Sequence, residues 1–128
     1  MPTSWARNLP SKHVGIGIVV GIFLLLFGFG SMPASANLVA HPWDKLVHLG
    51  VFAVLTFGLR LSLPKISVSM IIGIALSIAL ADELHQFFVP ERQPSWDDGI
   101  ADGFGVLLGL CLCWQYKCIW PNRNRCET

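Results

Sequence analysis

Charge is what this chain has least of. Lysine, arginine, aspartate and glutamate together make up 13% of its 128 residues, where about 25% is usual for a soluble globular domain. An ordinary water-soluble domain of this size is therefore excluded. Net charge is +1 with no basic stripe, so nothing points to nucleic acid. Cysteine is sparse and unmotivated by metal chemistry. Cys111 and Cys113 stand two apart and so point to different faces of a helix, while Cys118 and Cys126 lie near and beyond the end of the last apolar run. There is no CxxC and no paired Cys/His motif, which argues against a structural zinc site. A serine nucleophile elbow and a P-loop are also missing.

What is abundant is apolar sequence, 53% of the chain. It falls in four runs, roughly Val14–Gly30, Leu46–Leu63, Ile66–Phe88 and Gly99–Tyr116. Crossing a bilayer takes about 20 helical residues, with a range near 17–25, and all four runs qualify. Connections between them are short. The expected fold is all-α, a single domain over residues 1–128, a polytopic membrane protein built as a bundle of four transmembrane helices. Four short helices enclose little interior, so a homodimer is expected. The first run also has Arg7 and Lys12 before it and Ala34-Ser35-Ala36 after it, the pattern of a cleaved signal peptide. Its apolar core exceeds the usual 7–15 residues of a signal h-region, so it is read as a retained helix.

Lysine and arginine near helix ends set orientation. Arg7, Lys12, Arg60, Lys65, Lys117, Arg123 and Arg125 fall on one side, and only Lys45 and Arg92 on the other. Both termini are expected in the cytoplasm, in the plasma membrane. Aromatic belts agree: Trp5, Trp114, Tyr116 and Trp120 at the inner interface, Trp43 and Trp96 at the outer.

Seven of the eight acids lie in three windows beside the apolar runs: Asp44; Asp82, Glu83 and Glu91; and Asp97, Asp98 and Asp102. With the expected topology these windows share the outer level of the membrane, where ionisable groups need partners or a task. Asp44 and His48 are four apart and share a helix face, with Asp44 placed to cap the second helix or to satisfy its positive N-terminal end. Asp82 and Gln86 share a face of the third, and Glu83 points about 100° away. Ser95 and Asp98 form a capping-box-like start to the fourth helix. Asp98, Asp102, Gly105 and Gly109 recur on one face of it, and Gly105-x-x-x-Gly109 permits close helix approach. Gly17-x-x-x-Gly21 in the first helix is its candidate partner or incidental. Asp102 is the deepest acid, and a lone buried carboxylate is not tolerated, so Arg92, His48 or a proton is expected to neutralise it.

The three blocks Asp44-Lys-x-x-His48-x-x-x-Phe52, Asp82-Glu83-x-x-Gln86-x-Phe88-x-Pro90-x-Arg92 and Asp98-x-x-x-Asp102-x-x-Gly105-x-x-x-Gly109 together resemble the VanZ-like family of small membrane proteins. The resemblance covers about residues 40–110. It implies polar positions at Asp44, His48, Glu83, Gln86, Arg92 and Asp98, and a link to the low-level teicoplanin resistance associated with that family. The family usually has asparagine where this chain has Asp102.

Three readings of function stay open. In the first, a cell-envelope protein holds the head group of a membrane lipid or lipid-linked precursor, with Arg92 clamping a phosphate or carboxylate and Gln86 and His48 reading hydroxyl or amide groups. In the second, an enzyme acts on a lipid-linked phosphate, with Glu83, Asp98 and Asp102 holding Mg²⁺ and His48 as general base or acid. In the third, the polar groups are a structural network or a route for proton-linked transport. No cofactor is otherwise implied.

Overall fold

The computed structural model describes residues 11–34 and 38–119, with backbone only at 11 and 117–119. It is all-helical, and its four helices are each long and apolar enough to cross a membrane. Helix α1 (Ser11–Phe23) runs on through a π-helical stretch (Leu24–Gly28) and a 3-10 turn (Phe29–Ser31). Helices α2 (Trp43–Ser62), α3 (Val68–Phe87) and α4 (Trp96–Ile119) follow. Twenty residues at 1.5 Å each span about 30 Å, the hydrocarbon thickness of a bilayer.

The helix bounds differ by a few residues from the apolar runs, and at the starts of α2, α3 and α4 the reasons are local. Helix α2 begins at Trp43 because Pro42 occupies its N-cap, where the missing N–H costs nothing. Helix α3 begins at Val68 because the Ser67 hydroxyl accepts the Met70 amide at 3.3 Å. The turn between them is tied by Arg60, which donates to the carbonyls of Pro64 (3.1 Å) and Ile66 (2.8 Å), a basic residue serving the carbonyl end of its helix. Helix α4 starts at Trp96, behind Ser95, whose hydroxyl accepts the Asp97 amide.

Helix α2 is the centre of the bundle. Its Phe52, Leu55 and Leu59 meet Ile71, Ala75 and Ala79 of α3 and Val106 of α4 in one core. Glycine decides how closely its neighbours come. A Cβ on Gly109 would stand 2.5 Å from the Ala53 carbonyl oxygen and 2.7 Å from Thr56 Cβ, and one on Gly105 would collide with the Leu49 carbonyl. The partner of Gly105 and Gly109 is thus α2. Gly17 and Gly21 have open space around them, so that GxxxG is incidental. The α1–α2 contact uses Gly15 instead, where a Cβ would lie 2.7 Å from the Gly58 carbonyl and the Ser62 amide. The far end of α1 is held to α3, where Ser31 Oγ lies 3.0 Å from His85 Nε2 and the Phe27 ring sits 5.3 Å from the His85 ring.

Leu80, Leu84, Phe87, Ile100, Phe104 and Leu107 face outward. An apolar exterior around a small core is inverted for water and ordinary for lipid. Trp43 and Trp96 stand exposed at one end of the bundle and Trp114 at the other, as two interfacial belts require. Cys111 is exposed and Cys113 buried, on different faces as their spacing implies. Ser35, Ala36, Trp5, Arg7, Trp120, Arg123, Arg125 and Cys126 bear on readings above and lie outside the described residues, and of Cys118 only the backbone, in α4, is described.

Candidate functional site

The N-terminal ends of α2 and α4 and the C-terminal end of α3 bring the three polar blocks together, opposite the end where α1 begins and α4 finishes. On α3 the buried positions are Ile71, Ala75, Ala79, Asp82 and Gln86, a helical stripe whose last two members are polar. Asp82 is 1% exposed, and Gln86 Nε2 donates to its Oδ2 at 2.9 Å. On α4 the stripe that buries Gly105 and Gly109 also buries Asp98 and Asp102. Asp102 is fully buried, and its Oδ1 lies 3.0 Å from His48 Nδ1. Of the expected partners, it is His48 that meets the buried Asp102.

Glu83 does something the sequence did not disclose. Its Oε2 accepts the backbone amide of Ser95 at 3.1 Å. In a capping box the third residue of a helix bonds back to the N-cap amide. Here a carboxylate from α3 takes that place, near the positive end of the α4 dipole. Asp98, the expected partner of that amide, is free to face α2. Lys45 Nζ lies 3.5 Å from Asp98 Oδ1 and 3.5 Å from the more exposed Asp97 Oδ2.

These pairings decide two alternatives. Asp44 is not the N-cap of α2 but serves its positive end: it sits in the first turn, and its Oδ1 accepts the amide of the next residue, Lys45, at 2.9 Å. Arg92 makes no ion pair with Glu83, Asp98 or Asp102 among the described residues. The first is engaged by the Ser95 amide, the second by Lys45 and the third by His48. Arg92 instead lies in the loop beyond α3, turned by Glu91 at φ 69°, a left-handed conformation uncommon outside glycine. It lines two adjoining cavities. One, of about 180 Å³, is walled by Asp44, His48, Gln86, Glu91, Gln93 and Asp98 together with Arg92. The other, of about 140 Å³, reaches inward to His48 and Asp82 between apolar residues of the π-helical stretch, the 3-10 turn and α2.

The Mg²⁺ set Glu83, Asp98 and Asp102 is not the group the fold assembles. Among the described residues, the three that bring ligand atoms within 4.8 Å of one another are His48, Asp82 and Glu83. Asp82 and Lys45 are the residues that sequence reasoning undervalued. For Asp82 the signal was present, because it continues the Ile71-Ala75-Ala79 spacing. His85, in the same window, faces Phe27 and Ser31 beyond α1 and does not join the cluster.

The fold and the polar cluster define a polytopic helical membrane protein with a buried ionisable site at one end. The chain belongs to the VanZ/LLP1 family, whose model matches residues 4–120. No curated protein and no solved structure matches it.

Proposed function

We propose that the polar end of the bundle faces the outside of the plasma membrane and holds the head group of a membrane lipid or lipid-linked envelope precursor, a role through which the protein acts in glycopeptide resistance. The observation that carries this reading is Arg92, a guanidinium on the wall of two cavities with no carboxylate at ion-pair distance among the described residues. Its planar fork suits a phosphate or carboxylate bidentately. Asp44, Glu91 and Asp98 around it accept hydrogen bonds, which suits the hydroxyl, amide or ammonium donors of the same head group. An apolar groove of about 560 Å³ between α3 and α4, ending at Glu83 and Ser95, offers room for an acyl chain.

Mass spectrometry of lipids and precursors that copurify in mild detergent tests this. Wild-type protein should carry a phosphate- or carboxylate-bearing species, and Arg92→Ala should carry about 10- to 100-fold less, the loss expected for a charge-assisted bond of about 1.5–3 kcal/mol. Arg92→Lys should fall between, since it keeps the charge and loses the fork. Equal lipid on wild type and Arg92→Ala would remove the proposed role.

Orientation is tested separately. In a background with the native cysteines replaced, Gln93→Cys should react with an impermeant maleimide on intact cells, and Lys65→Cys only after permeabilisation. Labelling of Lys65→Cys from outside would invert the topology and put the site in the cytoplasm.

A further inference from the structure

Three carboxylates and an imidazole meet inside the bundle, with no lysine or arginine in ion-pair contact with those acids among the described residues. Asp82 and Asp102 are almost or fully inaccessible. Two oxygens have no hydrogen-bond partner, Glu83 Oε1 and Asp102 Oδ2, and both atoms are buried. Lys45 is engaged by Asp97 and Asp98. Buried acid groups at this density call for compensation, by protons or by a cation.

The bonds already made are those of a waiting ligand set. Asp102 holds His48 through Nδ1 and leaves Nε2 for another partner. A carboxylate behind the imidazole is the usual outer support of a metal-bound histidine, setting its tautomer and orientation. Gln86 steadies Asp82 through one carboxylate oxygen, and the Ser95 amide steadies Glu83 through Oε2. The second oxygen of Glu83 is the unpartnered one.

We infer that His48, Asp82 and Glu83 form a binding site for one divalent transition-metal ion, Mn²⁺ or Zn²⁺, with Asp102 as the positioning residue of His48. An imidazole among the ligands favours first-row transition ions over Mg²⁺. Ligand atoms held about 2.1 Å from a cation stand about 3.4 Å apart in a tetrahedron. The three ligand atoms lie within 4.8 Å of one another, so an ion would draw them inward. The cavity that reaches His48 and Asp82 is also lined by Arg92, so an ion there and the guanidinium would bracket one anionic group of the head group. That last step deepens the head-group reading and rests on it; the metal site rests only on His48, Asp82, Glu83 and Asp102.

The test is Mn²⁺ titration of chelator-stripped protein in nanodiscs, followed by electron paramagnetic resonance, with Zn²⁺ as competitor. Wild type should bind one Mn²⁺ per chain, displaced by Zn²⁺. Asp82→Asn and Glu83→Gln, which still accept their hydrogen bonds, should bind at least 10-fold more weakly. Asp102→Asn should keep the stoichiometry and lose about 10- to 100-fold in affinity. Arg92→Ala should bind Mn²⁺ as wild type does while losing the head group, which separates failure of one reading from failure of the other. His48→Gln replaces any variant whose circular dichroism shows unfolding. A folded wild type that takes up neither ion, or Asp82→Asn and Glu83→Gln proteins that bind like wild type, overturns the site.

Discussion

Gly109→Leu and Gly105→Leu should each prevent the bundle from assembling, and even alanine at either position should cost more than about 3 kcal/mol. Extra methylenes in a packed core usually cost about 1–3 kcal/mol, because side chains move aside. Here the obstacle is backbone. A Cβ at Gly109 meets the Ala53 carbonyl oxygen at 2.5 Å, and one at Gly105 meets that of Leu49. Relief requires α4 to move off α2, which opens the contacts of Phe52 and Val106 and separates Asp102 from His48. The comparison that gives the result meaning is Gly17→Ala with Gly21→Ala. Both sites are open, and alanine favours helix over glycine by about 1 kcal/mol, so these variants should be neutral or slightly stabilised. Unfolding by a graded denaturing detergent, followed by circular dichroism, ranks all four. A Gly109→Ala protein as stable as wild type would refute the α2–α4 packing described above.

Asp102→Asn should shift stability in opposite directions depending on metal. In chelator it should raise stability by about 1–3 kcal/mol, because a neutral amide is less costly to bury than a carboxylate. The amide oxygen can still accept from His48, and an uncharged NH2 takes the place of the unpartnered Oδ2. In saturating Mn²⁺ the wild type should gain stability by mass action and Asp102→Asn should gain less, since its affinity is lower. Asp102→Ala should be destabilised under both conditions, by about 3–5 kcal/mol, because it strands the His48 ring beside an empty volume. If Asp102→Asn and Asp102→Ala lose stability alike in chelator, the His48–Asp102 contact is needed for its charge rather than its hydrogen bond. The metal prediction is then decided by the titration alone.

Much of this was readable from residues in order. Four apolar runs of bilayer length name the class, because length and composition alone limit what a helix can do in water. Placement of the acids named one end of the bundle, and Asp44/His48, Asp82/Gln86 and Asp98/Asp102 follow from the four-residue repeat within single helices. What tertiary structure decided was every relation between helices. Two GxxxG patterns look alike in sequence, yet only Gly105 and Gly109 meet backbone, because the rotation of α4 about its axis turns them toward α2 and nothing turns Gly17 and Gly21 toward a neighbour. Arg92 was the obvious cation for the buried acids, yet Lys45 reaches Asp98 first. Glu83 was read as a site residue pointing away from Asp82, yet it also accepts the Ser95 amide at the start of α4 and frees Asp98 to face Lys45. Periodicity says which side chains share a face; only the distance and rotation between packed helices say which carboxylate meets which donor.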